Sequence, residues 1–171
     1  MSVNYKLHQA ALGSVFRSLV DLITASEVNI LGLLNMLITA RNAEVKSLIY
    51  GDHFGPYKVK EKIGKPLFFY AAIKYTNEPY ADVFAYLYDI KSVGLRYFNI
   101  FGRRDLNRAY VTVIPKWTAA MTESDTIFVK SNDEASRDFY YIDDTIQAEM
   151  LAVATENSKA TNQVYNVAVG D

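Results

Sequence analysis

Phe69-Tyr70-Ala71-Ala72-Ile73-Lys74 places a phenol and an ammonium four residues apart in a stretch of helical character. Positions i and i+4 share one face of a helix, so the two heads come within reach of each other. A cation beside a tyrosine hydroxyl favours the phenolate, and such a pair can serve as a general base with a pKa nearer neutrality than that of a free tyrosine. Tyr-x-x-x-Lys is also a common chance spacing on helix surfaces, so the surrounding sequence has to decide what it means.

Downstream of the pair, Tyr80, Val83, Phe84 and Leu87 recur at i, i+3, i+4 and i+7, which predicts one helix over 70–88 packed on a sheet. Pro79 sits in its interior, where a missing donor and a clash with the preceding turn cost about 3 kcal/mol, so a kink or a break is expected there. Upstream lies a loop with Gly55, Pro56, Gly64 and Pro66, preceded by a β-prone run, Val45 to Tyr50, that Gly51-Asp52 should terminate. Val28, Leu31, Leu34 and Ile38 predict a crossover helix over 26–40 with Ser26 as N-cap. Tyr5 to Ala11 reads as a short strand entering a loop whose small residues let something approach the backbone.

On the far side, Ser92 to Phe101 alternates as a strand with Val93, Leu95, Tyr97 and Asn99 on one face. An amide on that apolar face needs partners when buried. A helix over 113–121 starting near Pro115, a strand over 126–130, a helix over 143–156 and a strand over 163–169 ending in Gly170 complete the chain. Strands alternating with helices at this spacing predict an α/β fold of parallel strands flanked by helices.

Composition narrows the chemistry. The chain has 171 residues, half of them apolar, and a net charge of −1, so a single domain is expected and no charge footprint points to nucleic acid. There is no cysteine, and His8 and His53 are the two histidines, so neither a thiolate nucleophile nor a metal site is expected. No charged-then-apolar leader opens the chain and no uninterrupted apolar run approaches the roughly 20 residues of a membrane span. The expected location is cytoplasmic.

HQAALGSV (8–15), YAAIK (70–74), GLRYFNIFGRR (94–104), VIPKWTAAM (113–121), SRDFYYIDD (136–144) and VYNVAVG (164–170) occur in that order. Together they resemble the extended short-chain dehydrogenase/reductase superfamily, and within it the UDP-N-acetylglucosamine (or N-acetylgalactosamine) 4-epimerases of bacterial surface-sugar synthesis. The resemblance implies a Rossmann-like sheet and NAD as cofactor. It also implies a reaction in which hydride and the O4 proton leave a sugar at C4 and hydride returns to the other face. By the same resemblance Tyr70 is the base and Lys74 lowers its pKa and holds the nicotinamide ribose. Ala10 and Ala11 line the cofactor's phosphate side, and Asn29 and Phe98 contact it further along. Ser14 and Asn99 bond the sugar nucleotide, Val113, Lys116 and Trp117 lie by the nucleotide, and Arg137 binds the diphosphate. Ser47 has two alignments. In one it falls in the catalytic serine tract, and in the other that tract is deleted and Ser47 belongs to the preceding strand.

Departures are as specific as the matches. Phe16, Phe68-Phe69, Leu106, Arg108 and Ser131-Asn132-Asp133 stand where the family carries turn-forming proline, glycine or serine. The family's opening strand and its Gly-x-x-Gly-x-x-Gly turn, which holds the cofactor pyrophosphate at a helix N-terminus, have no counterpart in these residues. The chain therefore reads as one truncated epimerase/dehydratase domain over 1–171, the middle of the enzyme without its N-terminal nucleotide-binding strands. Such a fragment is expected to be inactive alone and to bind NAD weakly. A dehydratase or decarboxylase of the same superfamily is an alternative. So is a non-catalytic module that binds a nucleotide, a second copy or a paralogue through an exposed sheet edge.

Overall fold

The computed structural model describes residues 3–53, 66, 68–103, 113–127 and 137–170. In chain order the elements are β1 (Tyr5–His8), α1 (Val15–Val20), α2 (Leu22–Ser26), a π-helical turn (Glu27–Leu31), α3 (Gly32–Asn42), β2 (Ser47–His53), α4 (Phe69–Tyr88), β3 (Ser92–Tyr97), β4 (Asn99–Phe101), α5 (Val113–Thr122), β5 (Phe139–Tyr141), α6 (Ile142–Ala154) and β6 (Gln163–Val167). The main sheet has the order β1-β2-β3-β6 and every pairing in it is parallel; β4 and β5 form a second parallel pair. The α/β architecture with helix-flanked parallel strands is the one the sequence implied.

Strand alternation sorts the core into two layers. Leu48 and Tyr50 of β2 face one way, into a cluster with Leu33 and Leu37 of α3 and Ala81 and Phe84 of α4. Ile49, with Val93, Leu95 and Tyr97 of β3, faces the other way, onto Ala152 of α6. Parallel strands covered on both sides lose the polar face that antiparallel sheets keep, and β3 is accordingly buried at five of its six positions.

Several local expectations are corrected. Ser26 is no N-cap: its backbone is helical and its hydroxyl donates to the Leu22 carbonyl, while Ser14 and Asp21 cap the preceding turns by accepting from the backbone N–H of Arg17 and Thr24. β2 runs through Gly51-Asp52 to His53, because pairing with β3 continues there as Gly51↔Leu95, Asp52↔Arg96 and His53↔Tyr97. α4 is unbroken across Pro79. Pro79 and Tyr75, whose carbonyl loses its donor, both lie on the exposed side, where water can supply the bond. The strand expected over 92–101 splits at Phe98, and Asn99 leaves the main sheet to pair with Phe139. Thr126 and Ile127 are irregular. The rest of that expected strand, the Gly55–Gly64 loop and the departures at Leu106, Arg108 and Ser131–Asp133 lie outside the described residues.

The segment Leu22–Asn42 is 21 residues long with a mean hydropathy of 1.5 over its most apolar stretch, enough by length and composition to cross a membrane. Leu33 and Leu37 on its inner face have no exposed surface and pack on the sheet, which is how a core helix uses such residues.

Packing is tightest where β3 crosses the Tyr50 ring. A Cβ on Gly94 would lie 2.7 Å from both Cζ and the hydroxyl oxygen of the buried Tyr50. Gly94→Ala is expected to destabilise the chain by about 1–3 kcal/mol, the usual cost of overpacking a closed core, read as a lower urea midpoint at unchanged m-value.

Candidate active site

The α4-facing row of β2 passes from apolar to polar along the strand. Leu48 and Tyr50 meet Phe84 and Ala81, and the next residue on that face, Asp52, is 3% exposed. α4 mirrors this change, since two turns back from Ala81 it presents Lys74 and then Tyr70, which are 5% and 4% exposed. The Lys74 Nζ donates to the Gly51 carbonyl at 2.9 Å and so fixes the start of α4 to the carboxyl end of β2. Gly51 is closely surrounded on its other face: a Cβ there would run into Gln9 Oε1 and come 2.9 Å from the Tyr97 ring. Strand alternation puts His8 of β1, which pairs with Tyr50, and Arg96 of β3, which pairs with Asp52, on the same polar face. Arg96 is bound by Glu78 of α4 through Nε and Nη2, each at 2.7 Å.

Burial sets the electrostatics. It lowers the Lys74 pKa, which the Asp52 carboxylate partly restores. Burial also raises the Tyr70 pKa well above the ordinary phenol value, and Asp52 raises it further. This corrects the expectation of a phenol poised near neutrality, because desolvation and the like charge of Asp52 both oppose the phenolate. Asp52, which the sequence reading treated as a strand terminator, is the residue it missed. Its one available signal was an acidic residue continuing the inward period of β2.

The other sequence-derived residues fall in three places. Ala10 and Ala11 are exposed just beyond β1, and Phe98 and Asn99 are half-buried just beyond β3, so both pairs sit at carboxyl ends of strands beside Gly51. Asn29 lies 2% exposed in the π-turn, and its amide is spent within the chain: Oδ1 accepts from the Leu12 N–H at 3.0 Å and Nδ2 donates to the Ala25 carbonyl at 2.9 Å. It holds the loop after β1, where Ser14 caps α1. The Asn99 Nδ2 donates to the Asp138 carbonyl at 3.0 Å, tying β4 to the chain next to the exposed Arg137. Val113 and Trp117 are half-buried on α5 and Lys116 is exposed there.

Ser47 is a correction. It opens β2 opposite Tyr5, its hydroxyl is buried without a hydrogen-bond partner, and Gly51 lies four residues further along the strand, about 13 Å at the usual rise. Of the two alignments, the structure supports the one in which Ser47 belongs to the strand. A groove of about 940 Å³ along α6, lined by Val93, Leu95, Tyr140, Leu151 and Val167, opens on the opposite face of the sheet from Lys74.

His8 gives this site a pH signature. Burial, then the charges of Lys74 and Lys6, hold its pKa below the ordinary value. A histidine with a depressed folded pKa stabilises fully above its unfolded value, near 6.5, and that contribution is lost as pH falls through the folded pKa. The thermal midpoint is therefore expected to drop as pH falls below about 6.5, and His8→Asn to flatten that part of the profile.

Comparison with known proteins agrees with the parallel α/β fold. The profile of the NAD dependent epimerase/dehydratase family matches residues 2–168. Protein CapI of Staphylococcus aureus is 31% identical over 150 residues, which span 81% of this chain and 43% of that protein. The structure of UDP-N-acetylglucosamine 4-epimerase from Methanobrevibacter ruminantium, solved with UDP-N-acetylmuramic acid, superposes with a TM-score of 0.86 at 33% identity over 98% of this chain. That of the Thermotoga maritima UDP-glucose 4-epimerase, solved with UDP-glucose, superposes with a TM-score of 0.88 at 28% identity over 98% of this chain. The chain spans 56% of each of those two structures. With a parallel α/β sheet, a Tyr-x-x-x-Lys pair buried at its strand ends and a family profile matched over nearly its whole length, the chain belongs to the NAD dependent epimerase/dehydratase family.

Proposed function

We propose that this chain carries the proton-transfer part of a sugar-nucleotide 4-epimerase of the UDP-N-acetylhexosamine type. The observation that carries this reading is that Tyr70 and Lys74 are both buried on one face of α4, with Lys74 bonded to the Gly51 carbonyl at the carboxyl end of β2, where ligands of open α/β sheets gather. The residues present fit the nicotinamide end of NAD. The Lys74 ammonium has three donors, of which one goes to Gly51, so it has capacity left for a ribose hydroxyl. The small exposed Ala10 and Ala11 leave the backbone after β1 open to phosphate, with Phe98 on the same rim. NAD, when bound, supplies reversible hydride transfer at the sugar carbon.

In this reading Tyr70 takes the proton from O4 as hydride leaves C4 and returns it when hydride is delivered to the opposite face. Lys74 stabilises the phenolate that takes the proton, and Tyr70 is a neutral phenol between the two events. Ser14 and Asn99 orient the sugar nucleotide. Val113, Lys116 and Trp117 lie along the nucleotide, and Arg137 offers a planar fork to the diphosphate. The raised pKa of Tyr70 leaves little phenolate at neutral pH, and the positive charge of an oxidised nicotinamide would favour that form. The chain alone, without a pyrophosphate-binding turn, is expected to show at most trace inversion at C4 of UDP-N-acetylglucosamine by proton NMR with added NAD, and Tyr70→Phe to lower any rate so measured by about 10²–10⁴-fold. Equal rates for the two proteins would discard the assignment.

A second reading is a module that joins a second copy or a paralogue along β1. It is favoured by an edge that, among the described residues, pairs with β2 alone and exposes Tyr5 and Leu7 at 38% and 44%. Sedimentation at about tens of micromolar, where unpaired edges associate, is expected to show dimers or larger species, and a clean monomer removes this reading.

A further inference from the structure

Asp52 has no place in the family resemblance, yet it is among the most buried charged groups described. Three geometric facts converge on it. It follows Tyr50 on the α4-facing row of β2, so it points where α4 presents Tyr70 and Lys74. The adjacent residue, Gly51, gives its carbonyl to the Lys74 ammonium at 2.9 Å. Arg96, its cationic partner in register on β3, is engaged by Glu78 at 2.7 Å. We propose that Asp52 is the positioning residue of the Tyr70-Lys74 pair: its buried carboxylate holds the Lys74 ammonium on the Gly51 carbonyl.

A lysine taken out of water favours its neutral form unless an anion stands close, and a lone Gly51 carbonyl supplies a dipole and no charge. Asp52 supplies the charge, and the Coulombic coupling of Asp52 to both Lys74 and Tyr70 agrees with that placement. The same carboxylate opposes ionisation of Tyr70, so it trades base strength in the phenol for a fixed cation beside it. Other titratable groups face this cluster from every packed element: His8 from β1, Tyr50 from β2, Arg96 from β3, and Glu78 and Asp82 from α4. α1 and the π-turn bring Arg17 and Glu27, both exposed.

The consequence for catalysis rests on the epimerase reading, but the test reads the charge of Lys74 and not turnover. Lysine labelled with ¹³C at Cε is titrated by NMR in the full chain, and the Lys74 signal is identified by its loss in Lys74→Arg. Asp52→Asn is expected to lower the Lys74 ionisation midpoint so that its proton affinity falls at least about tenfold, one pH unit, and Asp52→Glu to recover part of that loss. An unchanged midpoint in Asp52→Asn overturns the proposal, even if turnover disappears. A shifted midpoint supports the proposal whether or not the chain turns over, so the two readings fail separately. If Asp52→Asn does not fold, Asp52→Asn/Lys74→Met, which removes both charges, is expected to fold, since an unpaired buried charge is the penalty. Failure of the double variant to fold overturns the pairing.

Discussion

The bond from the Lys74 ammonium to the Gly51 carbonyl is the constraint on which the rest of the site depends. A buried cation is costly unless it finds a dipole or an anion, and here the end of β2 provides the one in Gly51 and the other beside it in Asp52. The bond fixes the rotation of α4 about its axis, since only one face can give Lys74 to β2 while Ala81 and Phe84 reach the Leu48-Tyr50 row. Tyr70, one turn earlier, is carried to the strand ends with no further requirement. Tyr70 and Lys74 are thus placed by the same face of α4 that builds the core.

The two-sided burial of β2 and β3 explains why the polar cluster sits where it does. Along each strand the residues facing α4 change from apolar to charged as the carboxyl end nears, from Leu48 and Tyr50 to Asp52 and from Gly94 to Arg96. On the opposite face Tyr97 keeps its hydroxyl satisfied by donating to Glu149 of α6 at 3.0 Å and accepting from Gln9 at 3.1 Å. Gly51 and Gly94 are needed because the aromatic rings of Tyr97 and Tyr50 occupy the space a Cβ would take. Ring packing and site geometry are therefore one construction. Asn29 serves it from the other side, since its amide ties the loop after β1 to the helix through Leu12 and keeps Ala10 and Ala11 at the strand ends. The π-turn that carries Asn29 interrupts an otherwise α-helical run, a device often found near functional positions.

What the sequence alone determined is the alternation of strands and helices, the parallel α/β class and the Tyr70-Lys74 pair. Each follows from local periodicity: a period of two for the strands, the 3.6-residue stripe of Tyr80, Val83, Phe84 and Leu87, and the i to i+4 spacing of the pair. The six ordered blocks carried the family, because their order is a property of the chain and not of its folding. Only the tertiary structure decided that β2 continues past Gly51-Asp52, since backbone pairing with β3 outweighs the turn preference of that dipeptide. It alone showed that Pro79 leaves α4 unbroken, because whether a lost donor matters depends on which side meets water. It alone put Ser47 at the far end of the strand from the pair and Asp52 beside it. It also reversed the direction in which the Tyr70 pKa moves, because desolvation and the approach of a carboxylate from another element are set by packing, which spacing along one helix does not encode.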